Sequence, residues 1–436
     1  MQSIKNLNTN ILRLTIPNII TNITVPLLGI VDTAIVGHIS VGGKQAEYIG
    51  AIAIGTMIFN VIYWLFGFLR MGTSGFTAVS YGADDKTEQI DILTRSCFIA
   101  IVGALTLIIL QKPIGFVAKS FIDGDATIKN LALQYFYIRI WAAPATLGMY
   151  SLKGWFIGMQ DSKTPMWIAI FINIVNIVFD LLFVMRFNMT IDGVAYATLI
   201  AQYSGLLVTL IIFFVKYFKK YNISLSRALK KEPMTKFFKV NGDIFLRTIC
   251  IIAVTSYFTI ASSKMPSPLL AVNTLIMQLF TLFSYFMDGF AYAAESLCGR
   301  FSGANEVKNL RRTVKLLILW GVGMALLCVL VYGFFAKDIL SLLTNNKEVI
   351  RVAQKYLFWT ILIPITGFLA FLYDGILIGM IKSVMMRNAI FFATASFFII
   401  FFVFGQSNNA LWAGFISYLL LRSVLMAIFS WRDIFG

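Results

Sequence analysis

Apolar residues run through this chain in long stretches separated by short polar segments. The stretches fall near 13–37, 49–70, 94–111, 134–158, 166–186, 192–215, 244–262, 268–294, 314–335, 353–380, 388–404 and 410–430. A hydrocarbon core of roughly 30 Å is crossed by about 20 predominantly apolar residues in a helix. Twelve transmembrane helices are therefore expected. The first and tenth are long and carry proline (Pro17 and Pro26; Pro364). The N-terminal segment MQSIKNLNTNILRLTIPNII lacks the compact apolar core and small-residue cleavage site of a signal peptide. It is expected to be retained as the first span.

Composition agrees. Of the 436 residues, 59% are hydrophobic and only 13% charged, whereas soluble domains run near half apolar and a quarter charged. A secreted enzyme, a nucleic-acid-binding domain and a disordered scaffold are all disfavoured. The net charge of +16 would suggest a nucleic-acid partner in a soluble protein. Here it sorts by side: of the 36 Lys and Arg, 25 fall on the side of the termini and 11 on the other. The densest group runs from Lys216 through Lys219, Lys220, Arg227, Lys230, Lys231 and Lys236 to Lys239. The positive-inside rule puts both termini and this loop in the cytoplasm of a multi-pass cell-membrane protein. Nucleic acid is not an expected partner; the bilayer is, and a monomer is expected. Four scattered cysteines and one histidine, His38, offer no metal-binding spacing and no structural metal or cofactor.

The basic loop separates six spans from six, giving an N-terminal lobe over 1–215, an inter-lobe loop over 216–243 and a C-terminal lobe over 244–436. An internal repeat appears at an offset of 221 residues. Tyr81-Gly82-Ala83-Asp84-Asp85 matches Ser302-Gly303-Ala304-Asn305-Glu306, and Gly154 to Met159 matches Gly375 to Met380. An even number of spans per half gives a parallel repeat, an architecture of secondary transporters. The fold class is thus all-α, polytopic, with two six-helix lobes.

Acids inside spans are expensive, at least about 2.5–3.5 kcal/mol each, and mark function by default. Asp32 lies roughly 27 Å into the first span and Asp180 roughly 20 Å into the fifth, at 1.5 Å per residue. Both spans run outward, so the two acids belong to the outer half of one lobe and could share a site. Asn173, Asn176 and Asp180 are spaced i, i+3, i+7 on one helix face among apolar residues. Thr198 and Gln202 add an i, i+4 pair in the sixth span. Pro26, six residues before Asp32, removes a helix hydrogen bond and permits a bend. In the C-terminal lobe the repeat replaces Asn176 and Asp180 with Phe397 and Phe401, and the acids are instead Asp288, Glu295 and Asp374, toward the cytoplasm. Asp374 falls at the repeat position of Lys153; a gate pair between these two and a within-lobe pair with Arg247 are alternatives.

Gly72-Thr73-Ser74-Gly75 fits the nucleophile pattern of an intramembrane serine protease, which needs a base within hydrogen-bond reach. His38 and Ser74 fall at opposite ends of their spans, so the motif reads better as small residues for close helix packing. No phosphate-binding GxxxxGK[ST] loop occurs. An enzyme is not expected, and uphill transport would draw on an ion gradient.

Val31 to His38, Gly158-Met159-Gln160-Asp161-Ser162-Lys163-Thr164-Pro165, Asn173 to Asp180, Gly193 to Thr198, Asp288 to Tyr292, Tyr373-Asp374-Gly375 and Met386-Arg387-Asn388 together resemble the multidrug and toxic compound extrusion (MATE) transporters, in their DinF-like branch. The resemblance covers nearly the whole chain. It implies a V-shaped pair of six-helix lobes and antiport of drug-like organic compounds against protons or sodium. It places a cation-coupling site on Asp32 and Asp180, with Asn176 and Thr198 as further ligands or hydrogen-bond partners. A further polar position of the family falls at or near Lys153, where some members have asparagine. Another branch uses acids of the C-terminal lobe, where this chain has Asp374. Asn173, Gln202 and Pro26 are read as cavity and hinge residues. A flippase of lipid-linked precursors, from the same broader superfamily, is the alternative; extra spans or a strongly cationic central cavity would favour it.

Overall fold

A computed structural model of the chain describes residues 4–37, 45–121, 125–344 and 346–436. Side chains at 25–28, 30, 32–33, 36–37, 45, 121, 336–337, 340 and 342–343 lie outside the description. The described residues fold into helices with no strand among them. In order these are α1 (Ile4–Gly37), α2 (Gln45–Leu65), α3 (Gly67–Gly82), α4 (Lys86–Ile109), α5 (Gln111–Phe121), α6 (Ala126–Arg139), α7 (Ala143–Gly158), α8 (Lys163–Asp180) and α9 (Ile191–Lys216). They continue with α10 (Leu225–Ala228), α11 (Lys231–Ser263), α12 (Ser267–Gly303), α13 (Val307–Leu343), α14 (Lys347–Gln354), α15 (Leu357–Gly379), α16 (Ser383–Val403) and α17 (Asn408–Phe435).

Among the described residues, ten helical segments are long and apolar enough to cross a membrane. The other two predicted spans fall on α1, which is helical over 34 residues, and on α6 with α7. That last path is interrupted by a 3₁₀ turn at Ile140–Ala142, just before Pro144 in the first turn of α7. Proline is tolerated there because its missing N–H is one the helix start does not use. The second span extends beyond its predicted end: α2 and α3 form one segment, Ala46–Gly82, broken only at Phe66. All this makes a polytopic all-α membrane protein.

Two compact units are present. The N-terminal unit holds Ile20–Thr77 and Asp85–Phe237; the C-terminal unit holds Met1–Ile19, Ala78–Asp84 and Phe238–Gly436. In the N-terminal unit Phe59, Tyr135, Phe136 and Leu147 are fully buried and Trp155 anchors a second cluster with Phe213 and Tyr217. In the C-terminal unit α15 is the central helix: 72% of its spanning window is buried, against 22% for the segment beginning at Lys163 in the other unit.

The repeat at 221 residues has a physical cause, which is close helix crossing. A Cβ at Gly154 would strike the carbonyl of Arg70, and one at Gly158 would lie 2.7 Å from the carbonyl of Ser74. At the same offset, a Cβ at Gly375 would strike the Ala291 carbonyl and one at Gly379 the Glu295 carbonyl. Each crossing brings backbones so near that only glycine fits. Ser74 is fully buried at such a crossing, so the Gly-Thr-Ser-Gly motif serves packing. Within the C-terminal unit, Gly82 lies against the carbonyl of Arg300 and Gly303 against that of Val79, again offset by 221. Both approaches lie at the C-terminal ends of α3 and α12. Helix ends repeat as well. Gln160 (φ 62°) and Ile381 (φ 57°) adopt left-handed backbone, followed by Asp161 N–H bonding the Phe156 carbonyl and Lys382 N–H bonding the Leu377 carbonyl. These are the six-to-one bonds of a helix C-terminal turn.

Part of the basic loop is docked rather than merely solvated. Arg227 donates to both Asp91 oxygens (2.7 and 2.8 Å), and Arg95 Nε donates to the Ala228 carbonyl at 2.7 Å. The bond to Asp91 raises the Arg227 pKa further. At the α7–α8 turn, Asp161 accepts from Lys216 (2.6 Å), Tyr217 (3.0 Å) and Thr164 (2.8 Å to the hydroxyl, 3.1 Å to the amide). Burial pushes its carboxyl pKa up, but the Lys216 and Thr164 bonds outweigh it and hold the group below its usual range. A depressed acid contributes stability above its unfolded pKa of about 3.9 and loses it as pH falls through the folded value. Asp161→Asn is accordingly expected to lower the thermal midpoint of the purified protein at neutral pH, with the gap to wild type closing below about pH 4. A gap independent of pH would contradict this.

Candidate functional site: a polar helix face and the cavity beside it

Helix α8 presents two opposite faces. Trp167, Ile174 and Val178 are more than half exposed, as lipid-facing residues of a span would be. On the other side Asn176 and Asp180 are buried (1% and 0% exposed), and Asn173 is half-buried. Asn176 Nδ2 donates to Asp180 Oδ2 at 2.9 Å. Asn173 Nδ2 donates to the carbonyl of Thr24 on α1 at 3.2 Å, two residues before Pro26. The i, i+3, i+7 stripe thus engages α1 through Asn173, while its other two members pair with each other. Immediately after Asp180 the helix widens into a π turn, Leu181–Arg186, an irregularity frequent at functional sites.

Beside this face lies a cavity of about 350 Å³. Asn173, Thr198 and Gln202 line it; Asn176 and Asp180 do not. The Thr198 hydroxyl donates to the Val194 carbonyl of its own helix at 3.1 Å. Asp32 and Pro26 sit on α1, but their side chains lie outside the described residues, as does His38 entirely. Lys153 also lines the cavity, and so does Arg139, which sequence reading did not single out. Arg139 Nη1 donates to the Tyr135 hydroxyl at 2.7 Å, and its guanidinium carbon lies 4.9 Å from the Phe59 ring centre.

In the C-terminal unit the repeat positions of Asn176 and Asp180 are buried phenylalanines, Phe397 and Phe401. The same place in the helix is interior in both repeats and polar in only one. Glu295 is buried and Asp288 half-buried on α12. Asp374 accepts from both Arg247 and Arg422 through Oδ2. Arg247 was one of its two predicted partners; Arg422, on α17, was not anticipated. A single arginine deep in a span gives no partner signal in sequence. Among the described residues no group of histidine, cysteine or acid side chains is arranged to hold a metal ion.

A sequence model of the MatE family matches residues 17–182 and 244–404. The chain belongs to the MATE transporter family. It is 32% identical over 422 residues to DNA damage-inducible protein F of Escherichia coli K12, covering 96% of this chain and 91% of that protein. Its fold is similar to that of an outward-facing multidrug resistance MATE family transporter of the MOP superfamily (TM-score 0.82, 20% identity, 98% and 95% of the two chains covered). It is also similar to that of a eukaryotic MATE transporter (TM-score 0.84, 16% identity, 98% and 96% covered). At those identities the likeness speaks to fold alone. Members of this family are transporters, so the MATE chain described here is a transporter and not an enzyme.

Proposed function

We propose that this MATE transporter is a cation-coupled exporter of amphipathic organic compounds, working by alternating access with both termini in the cytoplasm. The observation that carries the reading is Asp180. It is an acid buried on the inner face of a spanning helix, bonded to Asn176, beside a cavity lined by Asn173, Thr198 and Gln202. An acid in such a place binds a proton or a sodium ion to relieve the cost of its charge. Asp180, with Asp32 on α1, is proposed to take up that cation in the outward-facing state. The Asn173 bond to the Thr24 carbonyl ties the same face to α1 just before Pro26, so rearrangement at the acids is transmitted to the bend there. The bend narrows the cavity and expels substrate outward; the protein then turns inward, releases the cation and accepts the next substrate. The multidrug resistance named for one structural neighbour supports small organic compounds as the cargo.

The test is substrate flux in proteoliposomes with a pH gradient and a sodium gradient imposed separately. One of the two gradients is expected to drive accumulation against the substrate's own gradient. Flux indifferent to both would remove cation coupling.

A further inference from the structure

Two cations, Arg139 and Lys153, line the cavity in the N-terminal unit, and among the described residues lining it none is acidic. Arg139 closes α6 and Lys153 lies in α7, fourteen positions further along, which is on the order of 20 Å at helical rise. The rest of the lining combines apolar and aromatic surface, Tyr63, Trp64, Met149 and Phe156 among it, with neutral polar groups such as Asn60, Asn173 and Gln202. A volume of about 350 Å³ lies within the range of small-molecule sites. Both cations already have protein partners. That leaves room for a ligand acceptor, since guanidinium offers five N–H donors and ammonium three.

From this lining we infer that the cavity takes amphipathic organic anions: a carboxylate, sulfonate or phosphate head on an apolar body, with Lys153 and Arg139 as two successive head-group stations. The inference rests on the transport reading for its purpose but on the cavity for its chemistry. An anion entering a low-dielectric cavity loses hydration and needs a cation to replace it. Here Lys153 and Arg139 each supply one, while ring and thioether surfaces accommodate varied bodies. A cationic amphiphile of the same shape meets like charge at both residues, and juxtaposed like charges are a strong discriminator. Two separate stations along one cavity also prevent a single tight trap. The head leaves one cation as it reaches the other, as conduction through sites in series requires.

The repeat supports a role specific to this half. The position of Lys153 is taken in the other repeat by Asp374, which is bound by two arginines. At this position the C-terminal repeat holds a charge closed on its partners, whereas Lys153 lines a cavity.

The experiment uses the full-length protein in nanodiscs of zwitterionic lipid, without any ion gradient. Two probes are compared: a dansyl-labelled long-chain carboxylate and a dansyl-labelled trimethylammonium of equal chain length. Binding is read as energy transfer from tryptophan, Trp64 being in the lining. The carboxylate is expected to bind roughly tenfold tighter or more, with the preference shrinking at high salt. Lys153→Gln and Arg139→Gln should each weaken carboxylate binding several-fold. The double variant Lys153→Glu/Arg139→Glu should reverse the preference, and its binding of the ammonium probe shows that it is folded. Equal or tighter binding of the ammonium by wild type would overturn the inference, as would an unchanged carboxylate affinity in the double variant. Repeating the titration in phosphatidylglycerol-containing discs identifies the source of the head group. Competition assigns the site to anionic lipid, and its absence to free organic anions. Loss of gradient-driven flux with the binding preference intact would retire the antiport reading alone. Gradient-driven flux of a cationic dye without the binding preference would retire this inference alone.

Discussion

Asp180→Asn is expected to abolish gradient-driven accumulation of substrate while leaving the protein inserted and monodisperse. The exchange keeps size and shape, and the new amide oxygen can still accept the Asn176 Nδ2 bond that now measures 2.9 Å. What it removes is the capacity to bind and release a proton or to neutralise sodium. Coupling then has no exchangeable charge at this position, and flux against the substrate gradient should fall to that of protein-free vesicles. Downhill substrate exchange can persist, because the cavity lining is untouched. That split between coupled and uncoupled flux separates a coupling role from a damaged fold. Asp32→Asn should behave alike, since the two acids are proposed to act as one site. Asn176→Ala should be milder, because the acid remains and only its bonded partner is lost. Full coupled activity of Asp180→Asn in proteoliposomes would sink the assignment.

The legibility of this site in sequence was uneven, for physical reasons. The α8 stripe could be read because a helix places i, i+3 and i+7 on one face and lipid forbids polar groups on the other. The exposed Ile174 and Val178 opposite buried Asn176 and Asp180 are that rule in structure. The glycine repeat could be read too, since a backbone crossing leaves no room for a Cβ at any of Gly154, Gly158, Gly375 and Gly379. What could not be read was partnership across long sequence separation. Arg422 bonds Asp374 from another helix, and Arg227 bonds Asp91 from the loop. The loop charges read mainly as a topology signal because solvated and docked cations have the same sequence. Arg139 was hidden similarly: nothing in its neighbours along the chain tells that it lines a cavity with Lys153. The 3₁₀ turn before Pro144 divided a predicted span that hydropathy alone reads as continuous.

Asp374→Asn is expected to cause the largest loss of stability of any single substitution in the C-terminal unit. One carboxylate there faces two guanidiniums, Arg247 and Arg422, with side chains 6%, 12% and 5% exposed. Neutralising it leaves two like charges close together in a poorly solvated interior. Breaking a buried ion pair from one side typically costs about 3–5 kcal/mol. The second arginine adds its repulsion to that loss. The thermal midpoint of the purified protein should fall by several degrees, and the yield of membrane-inserted protein with it. Removing one of the stranded cations should recover part of the loss: Asp374→Asn/Arg422→Gln should melt above Asp374→Asn alone, as coupled neighbours in one network do. The same geometry distinguishes this cluster from a gate between Asp374 and Lys153. Charge reversal at 153 and 374 together restores function if those two residues pair, but it places a third cation beside Arg247 and Arg422. The reversed double variant is therefore expected to be less stable than either single one. Rescue by that variant, or an Asp374→Asn protein that melts with wild type, would show that the arginines do not depend on Asp374 for their burial.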